Sequence, residues 1–302
     1  MSIKPGLRDL LWMAGGAAVV GTLLLAALHF GDSVASERAD RLRKLELVDR
    51  MRAAVAAASE NEQSAVVAGT DADSAAFAEA ARAAMAELDR HRQELTELIG
   101  AGGPEAERSS LASFASAFES FRGVGEELLA LAVRNSNLKA SALASGPAAE
   151  AVQSMTEALA GLTSPSGDPA PMALAFRAQV AALRELALLP PHIAEAREEV
   201  MDGLEARMAE QEQEVQRDLD GLRARSDLAG AAGLQAATSA WAQFLELKAQ
   251  VIALSRENSN VRSHALSLDR RRTAMLACLQ ALDSVRQAIA AEPAEPQPPR
   301  PR

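Results

Sequence analysis

The chain has 302 residues, a formal net charge of −10, 48% hydrophobic residues, only 3% aromatics and no Tyr. Much of the apolar content is Ala, which favours helices packed through small side chains over sheets built from β-branched and aromatic residues. No stretch is basic with interleaved aromatics, so no nucleic-acid partner is expected, and a single Cys278 excludes an intrachain disulfide and a cysteine-based metal site.

Residues 1–31 read as an N-terminal tail and a transmembrane anchor. Leu10 to Phe30 carries no charge and reaches the roughly 20 residues that a helix needs to cross a bilayer core. Trp12 suits an interface, and Lys4 and Arg8 precede the segment. A cleaved signal peptide is the rival reading, with Ser33-Val34-Ala35 as cleavage site, but secretory apolar cores run to only about 7–15 residues. The rest is expected on the periplasmic side of a bacterial inner membrane, reached by a single pass. Arg38, Arg41, Arg43 and Lys44 weigh against that orientation by the positive-inside rule, although large domains translocate regardless of such charges.

Residues 32–163 are expected to form a first four-helix bundle. Leu45, Val48, Met51, Val55 and Ala58 recur at helical steps in a helix continuing to about Gly69. Thr70, Asp71 or Asp73 can cap the next, which carries Phe77, Met85, Leu88, Leu95 and Ile99 and stops at Gly100 to Pro104. A third helix is expected over about 104–144, with Gly146-Pro147 as a turn or kink, and a fourth carries Val152, Met155, Leu159 and Leu162. Residues 164–169 are rich in Pro, Gly and Ser and read as a linker.

Residues 170–291 repeat the plan as a second bundle. A helix to Leu189 is expected to be interrupted by Pro190-Pro191, another to run from His192 to about Ser226, a third to carry Leu234, Trp241, Phe244 and Val251, and a last to span about 269–291. Residues 292–302, holding five Pro, read as disordered or polyproline-like. The fold class is therefore all-α: an N-terminal transmembrane helix followed by two tandem antiparallel four-helix bundles, joined by short turns into a rod.

Self-similarity supports the duplication. At a constant offset of 123, residues 111–159 align with 234–282 without a gap. Phe118 meets Trp241, Phe121 meets Phe244, and Asn135-Ser136-Asn137 meets Asn258-Ser259-Asn260. Generic Ala/Leu helices supply apolar pairs by chance but rarely a polar triplet in register. Asn135, Asn137, Asn258 and Asn260 are thus the signature polar residues of the repeat. They either fix register within a helical seam or face solvent near a helix end.

Residues 137–147, Asn137-Leu138-Lys139-Ala140-Ser141-Ala142-Leu143-Ala144-Ser145-Gly146-Pro147, followed by Met155 and Leu159, resemble the turn between the third and fourth helices of the four-helix-bundle sensor domain of methyl-accepting chemotaxis receptors. Asn260 to Leu268 with Leu282 resembles it again, and Val180 to Leu189 resembles that domain's first helix. The resemblance implies signal transduction by extracytoplasmic sensing of small molecules or binding proteins, as a homodimer. It departs from the family after Ile289, where no second membrane helix, linker module or cytoplasmic coiled coil is matched, so signalling is expected to need a partner protein.

No catalytic site, cofactor or metal is expected. The four His lie at 29, 91, 192 and 264, none in an i, i+4 pair. Glu126-Glu127 and Glu198-Glu199 read as solvated faces. Arg82, Arg177, Arg184 and Arg197 can meet an anionic ligand or pair with neighbouring acids; Arg82 and Arg184 are the candidates carried forward for ligand binding. Cys278 reads as a small core residue. The expected function is a membrane-anchored, non-enzymatic sensory module, and the alternative is a scaffolding rod that docks a partner through its Pro-rich tail.

Overall fold

The computed structural model describes the backbone of residues 7–100, 103–162, 168–228 and 230–291, and side chains within those ranges from Ser36 onward. All regular structure among the described residues is helical. Helix α1 spans Leu7–Val67, α2 Asp71–Ile99 and α3 Glu105–Ala132. Leu10–Phe30 lies in the part of α1 whose side chains fall outside the described residues; among the described residues, no helix is long and apolar enough to cross a membrane. Residues 163–167 of the linker region and the tail 292–302 also lie outside.

The first turns follow local chemistry. The Thr70 hydroxyl accepts from the Asp73 N–H at 3.0 Å and donates to the Asp73 carboxylate at 2.8 Å, capping α2. Gly100 ends that helix at φ +58°, a left-handed conformation that glycine adopts without a Cβ clash.

Beyond α3 the chain departs from expectation. Helix α3 stops at Ala132, not near Ala144, and Asn135 sits in the left-handed region at φ 49°. Helix α4 (Ser136–Leu143), a π-helical turn (Ala144–Ala148) and α5 (Ala149–Ala160) then follow in one continuous helical course. Gly146-Pro147 lies inside the π turn and does not reverse the chain. Residues 137–147, matched above to an interhelical turn, are themselves helical. Asn tolerates the left-handed conformation better than other non-Gly residues, so the break falls where the backbone strain is smallest.

The second copy repeats this. Helix α6 (Ala170–Ala194) runs through Pro190-Pro191. Prolines hold a helical φ, and here they remove N–H groups only near the C-terminal end. Helix α7 therefore begins at Glu198, not His192, and extends to Arg223. Between them the Glu195 carboxylate accepts from the Ala196 and Arg197 N–H groups, each at 3.0 Å. Helix α8 spans Ala232–Glu257, and Asn258 is left-handed at φ 52°. Helix α9 (Ser259–Leu266), a π turn (Ser267–Arg271) and α10 (Arg272–Ala290) follow. The second π turn contains no proline, so the feature belongs to the repeat and not to Pro147.

The described residues divide into two compact units, neither of which is the stretch 32–163 or 170–291. One draws on Met1–Ala58, Ala83–Ser120 and Met275–Arg302; the other on Ser59–Arg82 and Phe121–Ala274. In the first, Leu47, Val48, Met51 and Val55 of α1, Leu88 and Leu95 of α2, Phe114 and Phe118 of α3 and Cys278, Leu282, Val285 and Ile289 of α10 are buried at helical spacing. Arg43–Glu94, Lys44–Glu107, Arg52–Asp283 and Arg286–Asp49 ion pairs tie α1 to α2, α3 and α10.

In the second unit, α5 shares one core with α6, α7 and α8. Met155 and Leu159 of α5 join Leu189, Val215, Leu219, Trp241, Phe244 and Val251. The pairs Glu185–Lys248 and His192–Ser255 share a separation of 63, so α6 and α8 run parallel. Helix α5 approaches α8 closely: a Cβ on Gly233 would lie 3.0 Å from the Ala158 carbonyl oxygen. The fourth helix in this core thus comes from the first sequence copy and the other three from the second.

Candidate functional site

The repeat-signature asparagines meet one another. Each copy presents Asn-Ser-Asn with its first Asn left-handed, which turns the following N–H groups and side chains toward the other copy. The Ser136 N–H donates to Ser259 Oγ and the Ser259 N–H to Ser136 Oγ, both at 3.0 Å. The Asn137 N–H donates to Asn260 Oδ1 at 3.1 Å, and the Asn260 N–H to Asn137 Oδ1 at 3.2 Å. Asn137 Nδ2 donates to Asn258 Oδ1 at 2.8 Å, and Asn260 Nδ2 to Asn135 Oδ1 at 3.0 Å. Every one of these bonds has its mirror at an offset of 123. The result is a local two-fold clasp in which the initial N–H groups of α4 and α9, which helices leave unsatisfied, are taken up by the opposite copy.

Outer bonds anchor the clasp to neighbouring chain. Asn137 Nδ2 also donates to the Ile193 carbonyl at 2.7 Å and Asn258 Nδ2 to the Glu195 carbonyl at 2.8 Å. Asn135 Nδ2 donates to Asp71 Oδ1 at 3.0 Å. That bond, with one from Lys139, holds the Asp71 carboxyl below its usual range.

Two glutamates of the same unit, Glu62 and Glu185, are buried. Glu62 is held by both Nε and Nη2 of Arg271, which comes from the second π turn. Burial pushes the Glu62 carboxyl up and Arg271 works against that rise. Arg271 Nη1 donates to the Phe121 carbonyl at 2.7 Å, and the guanidinium stacks 3.3 Å from the Phe121 ring centre. At the equivalent position of the second copy, Glu185 accepts from Lys248 at 2.8 Å; Lys248 also reaches Glu212 at 2.5 Å. Burial raises the Glu185 carboxyl to about 7.

Two turns nearer the end of α6, His192 Nδ1 lies 2.8 Å from Ser255 Oγ and Nε2 lies 2.8 Å from Glu205. The Ser255 hydroxyl donates to the His192 carbonyl at 3.0 Å. Against burial, bonds from Arg256 and His192 bring the Glu205 carboxyl below its usual range. The trio has the composition of a Ser–His–acid triad, but Ser255 and His192 are wholly buried. They staple α6 to α7 and α8, leaving no hydroxyl accessible to a substrate.

The candidate arginines are dispersed. Arg82 bonds Glu79 at 2.8 Å and Glu126 at 3.4 Å, while Arg184 is exposed on α6. Arg177 pairs with Asp218, and Arg197 with Glu195 at 2.9 Å. Neither Arg82 nor Arg184 lines either of two open grooves. One, about 420 Å³, runs beside Ile99, Leu111 and Ala115 of α2 and α3, with Arg92 and Arg108 at its wall. The other, about 510 Å³, lies between the α4–α5 stretch and α6 and is lined by Ala144, Ser145, Ala149, Leu186, Pro190 and Ile193 among others. Sequence reasoning passed over this groove and the buried acids. A signal was present: Glu62 and Glu185 occupy the same repeat position on otherwise apolar faces. Among the described residues, no three His, Cys, Asp or Glu gather to hold a metal. No protein-family model matches the chain, and neither does any curated protein sequence.

Proposed function

We propose that the chain is a non-enzymatic sensory module, anchored in a bacterial inner membrane by Leu10–Phe30, with its helical part on the periplasmic side and acting as a homodimer or with a signalling partner protein. It responds to a ligand or partner by changing helix packing. One observation carries this reading. Ile193 lines the groove between the α4–α5 stretch and α6, and its carbonyl is bonded by Asn137 of the clasp. An occupant that shifts Ile193 therefore bears on the hydrogen bonds that hold the two copies together. Small displacements of packed helices are the usual response of such assemblies. The resemblance of Val180 to Leu189 to the first helix of chemoreceptor sensor domains supports the same reading.

A thermal-shift screen of the full chain in detergent against small metabolites tests it. A ligand should raise Tm by mass action, and an Ala144→Phe substitution that fills the groove should abolish the shift. The scaffolding alternative draws on Met172, Phe176 and Leu183, which are exposed at helical spacing on α6 and suit a protein partner. Absence of any ligand, with partner binding lost on deleting Gln297–Arg302, would favour that alternative.

A further inference from the structure

One side of α6 is apolar yet open. Met172, Phe176 and Leu183 are 72%, 64% and 50% exposed. With Ala187, Pro190 and Ala194 they recur at helical steps along the side of α6 that borders α5, and those last three line the 510 Å³ groove. The bundle does not require this stripe: at the repeat offset of 123 the first copy has Asp49 and Glu60 where α6 has Met172 and Leu183. On α5 the same face continues through Ala149 and Gln153, so the surface made by the two helices is uncharged up to its edges.

Those edges carry opposite charge. Arg177 and Arg184 lie seven residues apart on the far edge of α6, and Glu150 and Glu157 seven residues apart on the far edge of α5; all four are exposed. The Gln179 side chain donates to the Thr156 carbonyl at 3.0 Å and fixes the register of these antiparallel helices. Counted from that bond, Arg177 stands level with Glu157 and Arg184 with Glu150, each to within one residue, or about 1.5 Å of rise. Among the described residues Arg184 and Glu150 have no ion-pair partner. Arg177 pairs with Asp218 but keeps 58% of its side chain exposed.

We propose that a second copy of this chain covers the face, with the two α6 helices parallel and the two-fold axis running along them. The charges select that geometry. An axis along the helices brings the arginine edge of one copy over the glutamate edge of the other at the same height. Arg177 then meets the partner's Glu157 and Arg184 meets the partner's Glu150, and the two-fold doubles both pairs. An axis across the helices sets arginine on arginine and glutamate on glutamate. From Met172 to Ala194 the face is about 33 Å long and, at two helices of about 10 Å each, about 20 Å wide. That offers about 650 Å² per copy, close to the roughly 800 Å² of a standard interface. The proposal rests on the reading of the chain as a homodimer and gives that pairing its surface and direction.

Sedimentation equilibrium of the full chain in density-matched detergent tests this. A reversible dimer is expected, and Phe176→Glu should leave a monomer with unchanged Tm, since that side chain is open to water in the single chain. Arg184→Glu and Glu150→Arg should each weaken the dimer about tenfold, and the double variant, which swaps the charges, should restore it. Disulfide cross-linking reads the direction. Met172→Cys and Ala194→Cys should each link to their own counterpart, and a mixture of the two variants should give no link between them; the wild type, whose Cys278 is buried, is the control. A dimer indifferent to Phe176→Glu, a double variant no tighter than the singles, or a link between the two cysteine variants overturns the proposal and leaves the homodimer standing. A monomer at every concentration overturns both and leaves the face to another protein, while the metabolite screen judges the sensory reading separately.

Discussion

Besides a bond from Ser136 Oγ within α4, replacing Asn137 by Ala removes the three bonds by which its side chain reaches beyond that helix. The side chain donates to Ile193 O at 2.7 Å and Asn258 Oδ1 at 2.8 Å, and accepts from the Asn260 N–H at 3.2 Å. Alanine strands those three groups in a region where Asn137 and Asn258 are only 8% and 6% exposed. A stranded buried polar group costs about 1–3 kcal/mol, so the substitution should cost about 3–6 kcal/mol once partial access of water is allowed for. That is a large share of the roughly 5–15 kcal/mol by which a domain is stable. Two units need not unfold together, so hydrogen exchange is a better assay than a single melting curve. Protection at the Ser136, Asn137, Ser259 and Asn260 amides should fall about a hundredfold or more. Asn260→Ala should act on the same four amides, and the double variant should fall short of the sum of the singles. A change below about fivefold at all four amides, under about 1 kcal/mol, would refute the reasoning.

Other expectations follow from the same geometry. Asn258→Gly and Asn258→Ala lose the same side-chain bonds, so the left-handed backbone alone should make Ala the worse by about 1 kcal/mol in urea titration. Arg271→Met leaves Glu62 buried without its partner and should cost about 3–5 kcal/mol, whereas adding Glu62→Leu should recover much of the loss, read by thermal unfolding. Glu185 has a folded pKa raised from 4.5 to about 7, so the native state keeps its proton where the unfolded chain loses it. Stability should therefore fall as pH rises from 4.5 to 7, by about 3 kcal/mol in total, and flatten above. Glu185→Gln should remove that slope in pH-resolved denaturation.

Much of the local structure was written in short-range chemistry. Thr70 and Gly100 act as a cap and a stop, and most of the apolar residues at helical spacing are buried, although Phe77 of α2 is exposed. Asn135-Ser136-Asn137 and its repeat stood out because polar identity in register is improbable between unrelated helices. What escaped was how these signals are used. Asn135 and Asn258 break their helices although they look like ordinary surface residues, because the left-handed conformation is a property of context that Asn merely permits. Pro190-Pro191 looked like a helix end, yet a proline near a C-terminus disturbs few bonds. Gly146-Pro147 looked like a reversal, yet a π turn carries it. Most consequential, the apolar face of α5 carries no mark of which copy it packs on. Met155 and Leu159 would fit either set of three helices, and the choice is made by the break at Asn135 that redirects α4 and α5.

The association of α5 with α6, α7 and α8 is the feature on which the clasp, the groove and the functional reading all depend. It is tested most directly by replacing residues 163–167 with a protease site, cutting the purified full chain there and applying it to size-exclusion chromatography. The two fragments should co-elute as a one-to-one complex and separate only in denaturant. Fragments that elute apart, each retaining its helical circular dichroism, would contradict a core that takes its fourth helix from the other side of the cut.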